Sequence, residues 1–389
     1  MRFVFASDSF KGSLTSEKIN EILKGCAKRV FPDCECVALR IADGGEGTLE
    51  AIVGQKKGEM ISVQAENALG DSICSRYGVF ENTALICMSE ASGLPLIPAA
   101  KRSARTTSTF GTGELIRHAV ESGYKKIFVT LGGSATNDGG TGALSALGYK
   151  FLNEKGEVLK GTGEELAQIV TIDATSAIDF SGIELTLLCD VSNPLLGADG
   201  ATHTYGRQKG ATDADLDFLE AGMQNFAKVA QEYCGKSLNV AGGGAAGGLG
   251  AALYAFLNAK ICSGIETVLD LCDFNGALQN ADFVITGEGR VDWQSANGKV
   301  IDGILKRANA YTVPVVAIAG SIGTGAEKLY QKGLAAAFSI MDKPMTLEEA
   351  IQNAETLYAQ TAENVFRLIK AVHKRLMRRR IGRQTKTEG

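Results

Sequence analysis

The sequence predicts an α/β fold, and three observations carry that expectation. Apolar runs of about five residues recur along the chain. They are FVFA (3–6), VALRIA (37–42), KIFVTLGG (126–133), LTLLCD (185–190), FVITGEG (283–289), VVAIAG (315–320) and AAFSI (336–340). Several are β-branched, and each closes in glycine or a small polar residue, the pattern of strands buried on both faces of a parallel sheet. Segments with helical spacing alternate with many of these runs. The third observation is size: 389 residues exceed the roughly 250–300 at which one hydrophobic core stops growing, so two domains are expected.

Taken in order, the first run is followed by Ile19, Ile22, Leu23, Cys26, Ala27 and Val30 at helical spacing, with Ser13, Thr15 and Ser16 as candidate N-caps. Between about residues 59 and 90 the rhythm changes. MISVQA, ICSRYGVF and ALICMSE follow one another through NALGD and EN turns with no room for helices, which predicts antiparallel hairpins and a second domain inserted into the first. Further on, Leu115, Ile116, Ala119 and Val120 form an apolar helical face that stops at Gly123, a natural left-handed terminator. The expected layout is a discontinuous Rossmann-like parallel-sheet domain (1–58 and 282–370), an inserted α/β domain with antiparallel hairpins (59–281) and a basic tail (371–389).

Composition narrows the chemistry. A hydrophobic fraction of 45% with 22% charged residues is that of an ordinary globular protein. The opening MRFVFASDSF turns polar too soon for a signal peptide or membrane span, so the cytoplasm is the expected location. Nine cysteines without a CxxC pair and three scattered histidines (His118, His203, His373) leave almost no material for a zinc site. The net charge of −4 hides nine Lys or Arg against one acid, Glu388, in residues 367–389. A basic tail can touch nucleic acid or anionic membrane, but a solvated helix end accounts for it as well, and neither partner is expected.

Five glycine-rich turns carry the candidate chemistry. LGGSATNDGG (131–140) places four glycines, two hydroxyls, an amide and a carboxylate where a buried strand ends and a small-residue helix begins. Open α/β sheets bind ligands at that position, and free backbone N–H groups there attract anions. Asn and Asp capping their own backbone would also close such a turn, although four glycines exceed what one turn requires. SDSFKGSLTS puts Asp8, Ser9 and Lys11 after the first strand, and IADGGEGT puts Asp43 and Glu46 after the second. CDVSNPLLG brings Asp190 and Asn193; TGEGRVDWQSANGK brings Glu288, Arg290, Asp292 and Lys299. AGGGAAGGLGAAL (241–253) contains GxGxxG at Gly242, Gly244 and Gly247, a weak dinucleotide fingerprint because the strand expected before it, SLNVA, is short and Glu266 stands only roughly at the spacing of a ribose ligand. Hard carboxylates with amides and hydroxyls suit Mg²⁺, and cations in the same turns suit phosphate; together they fit phosphoryl transfer.

In combination DSFKGSLTS, ADGGEGT, GGSATNDGGTG, CDVSNPLLG, QKGA, GGGAAGGLGAA and GEGRVDWQSANGK, in this order, resemble the type 1 glycerate kinase family over residues 1 to about 366. The resemblance implies two α/β domains with the active site in the cleft between them. It also implies Mg²⁺-dependent, in-line transfer from ATP to D-glycerate, giving 2-phosphoglycerate in the bacterial branch. Phosphorylation at the 3-hydroxyl, a nicotinamide-dependent oxidoreductase and a non-catalytic sugar-acid sensor are the alternatives, and a homodimer is left open.

Chemistry then distributes the roles. Lys11 and Arg290 would anchor the glycerate carboxylate or the phosphoryl group, and Asp190 would serve as base or orienter for the attacking hydroxyl. Asp8 and Asp43 would hold the glycerate hydroxyls or Mg²⁺, and Ser9 and Asn193 would hold substrate. Gly133, Ser134, Thr136, Asn137, Gly242, Gly244, Gly247 and Lys209 would contact nucleotide phosphates, with a surface position the competing account of Lys209. Asp138, Glu288 and Asp292 are the Mg²⁺ candidates.

Overall fold

The computed structural model describes residues 1–387 except 43, 46 and 297, with the backbone alone for residues 376–387. Its strands in chain order are β1 (Arg2–Ser7), β2 (Glu35–Ala38), β3 (Glu59–Glu66), β4 (Ser72–Phe80), β5 (Thr83–Cys87), β6 (Lys126–Thr130), β7 (Lys150–Leu152), β8 (Thr171–Asp173), β9 (Glu184–Leu188), β10 (Lys260–Cys262), β11 (Phe283–Gly287), β12 (Arg290–Val291), β13 (Val315–Ala319), β14 (Ser321–Ile322) and β15 (Leu334–Ser339). The chain divides into a split unit, residues 1–42 with 268–389, and an inner unit, residues 43–267. The sequence had suggested joints at 58/59 and 281/282. The helix Thr48–Lys56 goes with the inner unit because Leu49 and Val53 pack on β4 at Gly78, where a Cβ would fall 2.1 Å from Val53.

In the split unit the sheet runs β15-β13-β11-β1-β2 with every pair parallel, as the continuous apolar runs require. Helix Ser16–Val30, whose N-cap is Thr15, lays Ile19, Leu23, Cys26, Ala27 and Val30 into a core shared with Tyr358, Val365 and Phe366 of helix Ala354–Thr387. The Phe3 ring meets Phe366 edge-on at 5.1 Å. The VALRIA strand is shorter than its apolar run. Leu39 N–H still reaches the Phe5 carbonyl at 2.9 Å, and from there the side chains of the first helix take over from the ladder, Asn20 Nδ2 donating to the Leu39 carbonyl at 2.9 Å and Ile41 N–H to Ser16 Oγ at 3.3 Å.

The inner sheet runs β10-β9-β6-β5-β4-β3; its first four strands are parallel and β4 and β3 close it as an antiparallel meander. The hairpin expected between residues 59 and 90 forms because NALGD makes a sound turn. Asn67 Oδ1 accepts the N–H groups of Leu69 and Asp71, and Gly70 takes φ +84°. Helix Phe110–Glu121 buries Leu115, Ile116 and Ala119, and Gly123 beyond it is left-handed at φ +91°. Helix Asp213–Cys234 starts at a reciprocal Thr212–Asp215 capping box. Strands β7, β8, β10, β12 and β14, of two or three residues each, are too short to leave a periodic signal.

Candidate active site

Within the five-stranded sheet of the split unit the strands, numbered by their order in that sheet, lie 5-4-3-1-2, so the order reverses between β1 and β11. Ligands of open α/β sheets bind outside the carboxyl ends of the strands at such a reversal, because the flanking connections leave in opposite directions and open a crevice. Ser7 and Gly287 are register partners, and the next residues on the two strands are Asp8 and Glu288. Asp8 N–H donates to the Gly287 carbonyl at 2.9 Å, and its carboxylate, 3% exposed as a residue, accepts the Ser9 N–H at 2.7 Å.

Residues 10–14 close a tight turn through paired Phe10–Leu14 backbone bonds, with Gly12 at φ +73°. Phe10 is buried against Tyr358, ring centroids 5.5 Å apart, so the turn is anchored while Lys11 at its tip is exposed. A Cβ on Gly289 would lie 3.5 Å from Phe10 Cα and 3.9 Å from Lys11 N. The two loops therefore touch. Arg290 follows, 69% exposed at its side chain, with Nε 3.2 Å from Asp292 Oδ2. Asp8, Ser9, Lys11, Glu288, Arg290 and Asp292 thus share one sheet edge. Asp292, a metal candidate, has its Oδ2 paired with Arg290 and its Oδ1 accepting the Gln294 N–H at 2.9 Å, so in this arrangement it orients the guanidinium.

In the inner unit the carboxyl ends of β5, β6, β9 and β10 present Met88, the 131–138 turn, Asp190 and Ser263 along another edge. Asp190 Oδ1 accepts from Ser263 Oγ at 3.1 Å, Gly264 N–H at 2.8 Å and Ile265 N–H at 3.3 Å, which fixes this half-buried carboxylate at the start of helix Gly264–Leu271. Gly132 comes so close to residues 44 and 45 that a Cβ would sit 3.1 Å from the Gly44 carbonyl. Gly133 is exposed at φ +78°, while Ser134 is buried and bridged to Gly93. Asp43, a substrate candidate, and Glu46 lie outside the described residues.

Several inner candidates turn inward instead. Asp138, 0% exposed, accepts from Thr109 N–H and Oγ1 at 2.7 Å, Gly140 N–H at 3.1 Å and Gly142 N–H at 3.3 Å. Burial raises its pKa against the pull of those donors. A carboxylate engaged at both oxygens inside the core is no Mg²⁺ ligand, so that assignment is withdrawn. Lys209 is 1% exposed, neither a surface lysine nor within reach of a phosphate. Its Nζ donates to the Thr136 carbonyl at 2.7 Å, and burial, partly offset by Asp138, lowers its pKa to about 7. Asn193, a substrate candidate, is half-buried and ties its loop together, Nδ2 donating to the Asp199 carbonyl at 2.7 Å and Oδ1 accepting from Tyr205 Oη at 2.8 Å.

Thr136 and Asn137 are wholly buried, Asn137 Nδ2 donating to Thr202 Oγ1 at 3.1 Å. The glycine cluster is a packing device. A Cβ on Gly242 would meet Ile261 at 3.0 Å, on Gly244 the Pro194 carbonyl at 2.2 Å and on Gly247 the Thr136 carbonyl at 2.0 Å. All three glycines are buried, and SLNVA forms no strand, so the dinucleotide fingerprint fails and the oxidoreductase alternative with it. Sequence reasoning missed Thr202 and Tyr205. They sit on the short helix Ala201–Tyr205 and tie the 136–137 and 193 turns together, and ATHTY carries no motif that would have found them.

The glycerate kinase family model matches residues 3–370. A glycerate kinase of Halalkalibacterium halodurans is 43% identical over 367 residues, covering 93% of this chain and 96% of that protein. The glycerate 2-kinase of Escherichia coli K12 is 38% identical over 375 residues, covering 94% and 97%. The crystal structure of a candidate glycerate kinase 2 from Salmonella typhimurium LT2 superposes with a TM-score of 0.86 at 39% identity, covering 96% of this chain and 99% of that one. The fold, the order of the motifs and these relatives agree: the chain belongs to the glycerate kinase family and is accordingly a kinase.

Proposed function

We propose that the chain transfers the γ-phosphoryl group of ATP to the 2-hydroxyl of D-glycerate, with Mg²⁺ accompanying the nucleotide. The observation that carries this reading is the switch-point edge of the split unit. There, in a chain of this family, two touching loops bring two exposed cations, Lys11 and Arg290, beside two strand-end carboxylates, Asp8 and Glu288.

Phosphoryl transfer demands little covalent chemistry of a protein and much positioning and charge neutralisation. Lys11 and Arg290 supply the positive charge for phosphate oxygens, with Asp292 steering the guanidinium. In the inner unit, Gly133 and Ser134 keep the phosphate-contacting role their turn suggests. Asp190, its carboxylate oriented by three donors, takes the proton of the attacking hydroxyl. As that oxygen bonds to phosphorus in line, the bond to the β-phosphate oxygen breaks and ADP leaves. Asp43 keeps the substrate role its sequence position suggests.

The donor set is compatible with Mg²⁺. Among the described residues no three His, Cys, Asp or Glu side chains are grouped to hold a metal by themselves. Mg²⁺ is normally held by one or two carboxylates together with substrate phosphates, and Asp8 and Glu288 are two hard-oxygen residues at one strand edge. Bound there, the ion would neutralise charge on the phosphates.

The test is a phosphorus NMR assay of the full chain with ATP, Mg²⁺ and D-glycerate, expected to give 2-phosphoglycerate. Formation of 3-phosphoglycerate moves the attack to the other hydroxyl, and no transfer ends the proposal. In the same assay Asp190→Asn, whose amide oxygen still accepts from Gly264, should keep the fold and lose turnover by about 100-fold. Near-normal turnover removes Asp190 from the chemistry.

A further inference from the structure

We propose that Trp293 is a stacking platform for the purine ring of the nucleotide, a role that rests on the ATP reading above and assigns a residue to the base. Trp293 is the one tryptophan of the sequence, yet 53% of its surface faces solvent. An exposed large apolar side chain needs no explanation by itself. Its mounting and its neighbours do.

The indole stands three residues after Arg290, on the loop that leaves the switch-point edge. β12 pairs in parallel with β14, so that Val291 faces Ile322. The pairing then continues beyond the strands: Gly323 N–H donates to the Val291 carbonyl at 2.8 Å and Trp293 N–H to the Thr324 carbonyl at 3.1 Å. Gly325, left-handed at φ +88°, lies directly against the tryptophan, where a Cβ would fall 2.5 Å from Trp293 Cβ. The root of the side chain is thus clamped while about half of the residue's surface stays exposed. That is the arrangement of a surface ordered in advance of its ligand, which avoids the entropy loss of ordering it on binding.

The neighbours specify the ligand. Arg290 is exposed on the same loop, and Lys299 Nζ, 3.0 Å from Gln294 Oε1, stands further along it. A half-exposed π face on the same loop as an exposed arginine and a half-buried lysine suits a planar ring that carries an anionic chain. A three-carbon hydroxy acid has no flat face to stack. A nucleoside triphosphate has both parts, and base–aromatic stacking typically contributes enough to change affinity by about tenfold or more.

The single tryptophan makes the test direct. Intrinsic fluorescence of the full-length chain is followed as ATP with Mg²⁺ is added, and in parallel as inorganic tripolyphosphate with Mg²⁺ is added. ATP should quench the emission saturably near its KM, and tripolyphosphate, lacking a base, should not. Trp293→Ala should raise KM for ATP by about tenfold or more while KM for D-glycerate stays within about twofold. Trp293→Phe should recover most of the loss, and Trp293→Leu, which keeps bulk without a π face, should not. Circular dichroism of each variant reports its fold, and should the alanine variant misfold, the Phe and Leu pair decides. ATP-dependent turnover in Trp293→Ala with an unchanged KM for ATP, or equal quenching by tripolyphosphate, overturns the platform and leaves the ATP reading standing. Failure of the wild-type chain to use ATP overturns both.

Discussion

A lysine with 1% of its surface exposed is the residue where the inner unit departs furthest from a surface of phosphate-binding loops. Lys209 reaches the Thr136 carbonyl across 73 positions of sequence and holds the turn that follows β6 from beneath. A neutral amine still donates that bond, which is how the group tolerates burial with its pKa lowered from 10.5 to about 7. The sign of the linkage follows. Between about pH 7 and the ordinary lysine range the unfolded chain binds a proton that the folded chain does not, so stability contributed at this site rises with pH across that window and is level below it. Urea unfolding of wild type and Lys209→Met at a series of pH values from about 6.5 to 10 isolates the effect from other titrating groups. The wild type should gain on the variant by a few kcal/mol at most as the pH rises. Parallel curves would show that Lys209 keeps an ordinary hold on its proton.

At the scale of elements, glycine decides which segments can cross. Gly247 and Gly182 have nearly the same backbone, φ +65° and +75°, and different surroundings. A Cβ on Gly182 meets nothing within 4 Å, whereas on Gly247 it falls 2.0 Å from the Thr136 carbonyl. Gly182→Ala should therefore cost only the left-handed penalty of about 1–2 kcal/mol. Gly247→Ala adds a clash between two backbones that cannot both yield, and should cost about 3 kcal/mol or more, read as a lower urea midpoint at unchanged slope. Equal losses would mean that the crossing relaxes freely.

The same contrast explains what was legible in the sequence. Long apolar strands, the NALGD hairpin turn and the Thr15 cap are local signals, and each reappears in the fold. Asp8, Lys11, Glu288 and Arg290 were each placed at a strand end by the apolar run before them, but that β1 and β11 are neighbours and bring the four to one edge was not legible. Nor were the inward contacts of Asp138, Asn193, Lys209 and Gly247, since a polar or glycine-rich turn reads identically whether its partner is a ligand or a distant stretch of backbone. Burial separates the two cases, and it depends on contacts that no local window contains.

At the scale of the whole molecule, the family match stops at residue 370 while the last helix runs on to Thr387. The helix has two parts with different physics. Its first part supplies Leu357, Tyr358, Val365, Phe366 and Ile369 to the core of the split unit. Beyond Lys370 the described side chains are exposed or half-buried, and the sequence turns strongly basic. Ending the chain after Lys370 should therefore leave turnover within about twofold and move Tm by only a few degrees. Ending it after Asn353 removes several buried large side chains, each worth about 2–5 kcal/mol, against a total stability of about 5–15 kcal/mol, and should leave the split unit unfolded. Thermal melts and the phosphoryl-transfer assay on the two truncations check both statements. A large loss of turnover in the first truncation, with its melting unchanged, would place the basic segment in the catalytic cycle and revive a polyanion-binding role for it. Retained turnover confines the enzyme to the stretch it shares with its relatives, because the core that positions Asp8 and Glu288 is complete by Ile369.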